Sequence, residues 1–188
     1  MEKLITISSK QLKQIENKNP NIDIYIRIAL YTGLRYSSIA NITYKDIVRE
    51  GNHYFILIKK MKKQTSIQKV RISKDIYTKI QNHKKKCKYE NFIIEGIYSN
   101  KPLSIQYINK ILKYFLECSS HKLRHTFALV NKLNGAEIDI ICNCLFHKNI
   151  VTTMIYIQMA LTIKRLYEKK YINEYINHMK KYVCIIEN

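Results

Sequence analysis

The stretch from Ser104 to Leu116 constrains the chain most. Ile105, Ile108, Ile111, Leu112, Phe115 and Leu116 recur at intervals of three and four, the spacing of one helical face that must be buried. The 188 residues contain only four Gly and two Pro, which excludes linker-rich, collagen-like and glycine-rich designs. With 46% hydrophobic and 25% charged residues, the chain reads as one globular domain with a real core.

The same reasoning extends along the chain. Ser8 with Gln11 reads as a capping box opening a helix through Leu12 and Ile15. Asn19-Pro20-Asn21 breaks it. The apolar run Ile22 to Tyr31 predicts a helix stopped by Gly33, and Leu34 to Ile42 a short one after it. Tyr54 to Ile58 and Gln68 to Ile72 read as two strands joined by the basic connector Lys59 to Thr65. Ser73 caps a helix running towards Cys87 and ending in His83-Lys84-Lys85-Lys86. Phe92-Ile93-Ile94 reads as a short strand. Helices follow over His121 to Leu133 and Ile138 to Leu145, and Thr152 or Thr153 is the expected cap of the next. Leu161 to Tyr182 reads as a long polar helix. The predicted class is α+β, mostly helical, with a small antiparallel sheet inserted early.

Charge narrows the partner. Thirty-three Lys and Arg against 14 Asp and Glu leave +19, a surplus that calls for an anion. Nucleic acid is the first candidate and an anionic membrane surface the second. Part of the surplus is also what an AT-rich coding bias would produce. No apolar run approaches the roughly 20 residues of a membrane span, and the first residues lack the pattern of a signal peptide. Five irregularly spaced Cys do not form a disulfide framework, so a reducing, cytoplasmic compartment is expected.

Only six of the basic residues are Arg, so their positions carry information. Arg124 lies three residues after His121, which puts both on one face near a predicted helix N-terminus suited to an oxyanion. An arginine fork grips two phosphate oxygens as Lys cannot. The competing reading is a cap and a surface ion pair. Arg35 follows Gly33, where a tight turn would aim it into a cleft, or it is simply a charge at a helix end. His147 sits between two helices; with Cys142 and Cys144 it gives three close metal ligands but no convincing fourth, so no metal is expected. Tyr156 is either a core phenol or a nucleophile made competent by neighbouring cations.

Taken in order, these residues resemble the catalytic domain of the tyrosine recombinases, the phage-integrase family. Tyr31-Thr32-Gly33-Leu34-Arg35-Tyr36-Ser37-Ser38-Ile39 followed by Ile42 to Ile47 is similar to the first arginine box. His121-Lys122-Leu123-Arg124-His125-Thr126-Phe127-Ala128 is similar to the second. Leu145-Phe146-His147, Thr152-Thr153 and Tyr156 resemble the segment carrying the last histidine and the nucleophile, and the hairpin before Val70-Arg71-Ile72-Ser73 resembles the strand pair of the catalytic lysine. The resemblance runs from about Ser8 to about Ala160.

It implies the fold of that catalytic domain over residues 1–160, a helical tail over 161–188, and no separate N-terminal core-binding domain, as in small members resembling fimbrial inversion recombinases. It implies that Tyr156 attacks a DNA phosphodiester, giving a 3′-phosphotyrosyl bond and a free 5′-hydroxyl. Arg35 and Arg124 would clamp the non-bridging oxygens, His121 would assist proton transfer, and His147 would bond the phosphate. Lys63, with Lys62 as the alternative, would protonate the leaving oxygen. Lys59, Lys60, Lys62, Lys122 and Lys148 are expected on the DNA backbone. Neither cofactor nor metal is implied. The implied partners are double-stranded DNA and further copies of the chain: a tetramer on DNA, a monomer as the alternative in solution, the tail helix docking on a neighbour or folding back. An accessory DNA-bending protein is a further candidate partner, and a bacterial, phage or mobile-element origin is expected. Ser38 stands where the family has an acidic residue, and Phe146 where it has glycine. A catalytically impaired DNA-binding or architectural protein, and topoisomerase IB-like relaxation, are the competing functions.

Overall fold

The computed structural model describes residues 4–59, 67–86, 91–96 and 101–186. Helix α1 (Ser9–Lys18) opens on the expected capping box, with the Ser8 and Gln11 side chains each bonding the other residue's backbone N–H. Asn19 then caps two helices at once. Its backbone N–H closes α1 on the Ile15 carbonyl, and its side-chain oxygen receives the Ile22 N–H of α2 (Pro20–Thr32), with Pro20 in the first turn where no N–H is needed.

Helix α2 is the centre of the molecule. Ile22, Ile24, Tyr25, Ile26, Ile28, Ala29 and Leu30 are all buried, so this helix is apolar nearly all round and must be covered on every side. Helices α1, α4 (Lys74–Lys86) and α6 (Ser120–Leu133) pack against it, α3 (Tyr36–Ala40) follows it, and the expected helix after Ser104, α5 (Ile105–Leu116), packs on α1 and α6. Each fully buried Ile or Leu contributes roughly 1.5–3 kcal/mol. Gly33 ends the helix at φ 67°, closing its N–H on the Ala29 carbonyl. No larger residue fits: a Cβ there would lie 2.5 Å from Phe127 Cδ1 and 2.8 Å from Leu145 Cδ2.

The sheet holds three antiparallel strands in the order β1 (Ile47–Glu50), β2 (His53–Ile58), β3 (Gln68–Ile72) among the described residues. Tyr54 pairs with Ile72, and Ile56 with Val70, so the even positions face α2 and α4. Strand β1 was not expected from its four half-charged residues. The two-residue turn Gly51-Asn52, with Gly51 at φ 58°, is the signal that marks the hairpin. Phe92–Ile94 is not a strand. Phe92 makes one bridge to Thr43, while Ile93 and Ile94 are buried completely, so the run is a peg in the core. The His83-to-Lys86 run is not wholly solvated either. His83 is buried between the Tyr44 hydroxyl (2.7 Å from Nδ1) and Asn21 Oδ1 (2.5 Å from Nε2), and burial lowers its pKa.

A second apolar cluster joins α6 to α7 (Ile138–Cys144), α8 (Val151–Leu166) and α9 (Lys169–Met179). The start of α8 is capped by neither Thr152 nor Thr153. Asn149 accepts the Val151 N–H, and Thr153 is fully buried. The tail is not one polar helix. It breaks at Tyr167 and Glu168, and α9 buries Ile172, Tyr175, Ile176 and Met179. The tail folds back on its own chain: the Tyr175 hydroxyl donates to the Ile5 carbonyl, His178 Nε2 lies 2.8 Å from the Ile7 carbonyl oxygen, and Asn131 holds the final extended stretch by bonds to Cys184 O (3.0 Å) and Ile186 N (2.8 Å).

Candidate active site

The turn after α7 organises the site. His147 N–H returns to the Cys142 carbonyl and Phe146 N–H to Asn143, and Phe146 adopts φ 52°. The backbone is thus in the left-handed region where glycine is easy, and a phenylalanine holds it while its ring packs on the larger apolar cluster. The Leu145 carbonyl is thereby aimed at two arginines. Arg124, 2% exposed, donates from Nη2 to Leu145 O at 2.7 Å and from Nη1 to Gly33 O at 2.6 Å. Arg35 Nη1 reaches the same Leu145 oxygen at 3.5 Å, a long contact from an exposed side chain. The two guanidinium groups, 89 residues apart in sequence (124 − 35), meet on one backbone oxygen.

Burial and the crowding of positive charge together lower the pKa values of Arg124 and its neighbours. Arg124 is pushed down to about 10, by burial first and then by Arg35, with Tyr156 acting in the opposite sense. His147 is held down to about 4 by desolvation, then by Arg124, Arg35, His121 and His125. His121, exposed as a whole residue but crowded at its ring, is lowered by desolvation, Arg124 and Arg35. These groups share one positive field, of the kind that favours an anion over a further cation.

Orientation comes from neighbours. Buried Thr153 lies 2.7 Å from His147 Nδ1 and fixes that ring, turning Nε2 to the other side. Tyr156, 2% exposed, lies two residues beyond Met154 on the inner face of α8. His125 connects it to the cluster, its ring 5.3 Å edge-on from Tyr156 and 4.4 Å from His121. His125 is a site residue that the sequence reading did not single out. Its position one turn after His121 on α6 was the available signal.

The predicted residues Arg35, His121, Arg124, His147 and Tyr156 are therefore brought together. Lys60, Lys62 and Lys63 lie outside the described residues. Lys59 is exposed and pairs with buried Asp46 at 2.6 Å; this bond and the Thr43 bonds lower the Asp46 pKa against its burial. Lys148 is exposed beside His147, and Lys122 is half-buried on α6. Ser38, on α3, offers Arg35 no carboxylate. Among the described residues no group of His, Cys, Asp and Glu could hold a metal, and no helix is long and apolar enough to cross a membrane.

Comparison with known proteins turns this geometry into kinship. The model of the phage integrase family matches residues 1–162. The chain belongs to that family. The tyrosine recombinase XerH of Campylobacter jejuni is 29% identical over 161 residues, covering 78% of this chain and 45% of that protein. XerA of Pyrococcus furiosus is 30% identical over 168 residues, covering 85% of this chain and 57% of its own length. The chain spans about half the length of these curated relatives. In fold it is similar to XerH recombinase bound to its difH substrate (TM-score 0.64, 19% identity, 81% of this chain and 44% of that one). It is also similar to the catalytic domain of bacteriophage HP1 integrase (TM-score 0.56, 22% identity, 88% and 96%). The mostly helical architecture with a small antiparallel sheet is that of tyrosine recombinase catalytic domains.

Proposed function

We propose that this chain is the catalytic part of a site-specific DNA recombinase that breaks and rejoins strands through Tyr156. The meeting of Arg35 and Arg124 at the Leu145 carbonyl, with His147 and Tyr156 within their electrostatic reach, carries the reading. Two bonds of Arg124 go to backbone carbonyls, and a guanidinium has five N–H donors in all. Its remaining donors, with those of Arg35, clamp the non-bridging oxygens of a phosphodiester. His147 Nε2 bonds the same group.

In the step itself, the Tyr156 oxygen forms a bond to phosphorus as the bond to the 5′-oxygen breaks. The phenol proton passes towards His121, and Lys63, or Lys62, protonates the leaving oxygen. Charge grows on the phosphoryl oxygens as the transition state forms, and the two fixed guanidinium groups meet it without reorganisation. This electrostatic work is what divalent metals do in other phosphoryl transfers. The 3′-phosphotyrosyl bond keeps the energy of the phosphodiester, so attack by a 5′-hydroxyl reverses the step and rejoins a strand. Exposed Lys59, Lys148 and half-buried Lys122, with Lys60 and Lys62, contact the duplex backbone. Double-stranded DNA is the substrate and further copies of the chain are the partners. The relatives named for phage and transposon integrases favour a mobile-element setting.

The test is a nicked suicide duplex carrying the cognate site. The native chain forms a covalent adduct and Tyr156→Phe forms none. Binding without any adduct from the native chain would reject the reading in favour of an architectural role, and site-independent relaxation of supercoiled plasmid would favour a topoisomerase.

A further inference from the structure

A second cationic enclosure lies outside the arginine–histidine cluster. A cavity of about 830 Å³ opens between the sheet, the start of α4 and the tail after α9. Arg49 from β1, Arg71 from β3, Lys74 from the first residue of α4 and Lys180 from the end of α9 all line it, with His53 beside them and, among the described residues, no Asp or Glu. Four separate elements thus bring positive charge to one space, where each cation raises the electrostatic cost of the others. Lys74 adds to the positive end of the α4 dipole, while Asp75, the next residue, opposes it but does not line the cavity. Glu50, next to Arg49 in sequence, is engaged by Lys69.

The forks are also held. Arg49 Nε donates to Gly51 O at 2.9 Å with its guanidinium over the Tyr54 ring, and Arg71 Nη2 lies 3.1 Å from His53 Nδ1. Of the six arginines in a chain that otherwise uses Lys, two form the Leu145 cluster and two sit here. Tyr31 also lines the cavity and is two residues from Gly33, so by chain length its backbone is within about 7 Å of the residue that accepts Arg124. A duplex engaged at the cluster carries a charge every 1.7 Å or so of its axis.

We propose that this cavity is a second phosphate-binding site, occupied by backbone phosphates of the same duplex that the arginine cluster engages. Its placement on DNA rests on the recombinase reading. Arg49 and Arg71 supply bidentate grips, and Lys74 and Lys180 supply point charges. The cavity therefore adds affinity and salt dependence, not chemistry.

The experiment measures binding of a labelled duplex by the full chain across a salt series. The double variant R49Q/R71Q should reduce the magnitude of the log–log salt slope by about 1.8, corresponding to two phosphate contacts. It should form as much covalent adduct as the native chain when DNA is saturating. K164Q/R165Q, which removes two exposed charges from α8, should change the slope by less than half as much. K74Q/K180Q, which leaves both arginine hydrogen bonds intact, should repeat the cavity effect if R49Q/R71Q folds poorly. Equal slopes for the cavity and α8 variants would overturn the proposal. Loss of pyrophosphate binding by the cavity variants with an unchanged DNA slope would overturn DNA as the occupant and leave a free phosphate. A slope change in a protein that forms no adduct would reject the recombinase reading and leave the phosphate site standing.

Discussion

Replacing Gly33 by Ala separates two costs that usually arrive together. The position has φ 67°, which an L side chain adopts at about 1–2 kcal/mol. The new Cβ would also lie 2.5 Å and 2.9 Å from Phe127 Cδ1 and Cγ and 2.8 Å from Leu145 Cδ2. Phe127 is 2% exposed and Leu145 fully buried, so neither can move into solvent, and overpacking of this kind adds about 1–3 kcal/mol. The sum is about 2–5 kcal/mol. Gly51, in the β1–β2 turn at φ 58°, has nothing among the described residues within 4 Å of its would-be Cβ. Gly51→Ala therefore carries the conformational part alone, about 1–2 kcal/mol. Urea unfolding of both variants, with slopes compared to confirm one transition, measures the difference. Gly33→Ala should lose about 1–3 kcal/mol more than Gly51→Ala. On the proposed recombinase reading it should also weaken DNA cleavage, because the Gly33 carbonyl seats Arg124. Equal losses in the two variants would refute the packing argument.

Other outcomes follow from the same geometry. Phe146→Gly should be about 1 kcal/mol more stable than Phe146→Ala in urea unfolding, because both lose the ring but only Ala keeps the left-handed strain. His147 is held neutral down to about 4, so an arriving phosphate, by raising that value, makes DNA binding take up protons. Affinity should rise as pH falls from 7 towards 5, and His147→Gln should flatten that rise in anisotropy titrations. The free protein's stability runs the other way: with the folded His147 below its unfolded range, stability is lost as pH falls from about 6.5 to 4, measurable by thermal melts. Asn131→Ala, which leaves the Cys184 carbonyl and Ile186 N–H without their clamp, should cost about 2–4 kcal/mol and speed amide exchange at 184–186 ahead of α6.

Much of this was legible from residues alone. Ser8, Asn19 and Gly33 act locally, through caps and a left-handed stop, and local chemistry is what a sequence displays. The Arg124 motif and Tyr156 were legible as an ordered set and came together in space. What escaped depends on partners distant in the chain. Strand β1 exists because β2 accepts it, and its own four residues are too polar to announce it. Ile93 and Ile94 look like a strand, yet a hole in the core rather than a neighbouring strand receives them. His83 reads as one more cation in a basic run until Tyr44 and Asn21 close on it. The break at Tyr167 has no Gly or Pro to mark it; α9 turns so that Tyr175 and His178 can reach the carbonyls of Ile5 and Ile7.

The acceptor on which both arginines rest belongs to the main chain. Leu145 contributes an oxygen that every amino acid possesses, so substitution at that position cannot delete it and can only tilt it. Drift in the side chains around the centre is thus buffered: the docking point persists as long as the loop keeps its bend. Among the described residues the rival that the proposed phosphate would meet is thus an uncharged carbonyl and not a carboxylate, so its arrival would expel no acid.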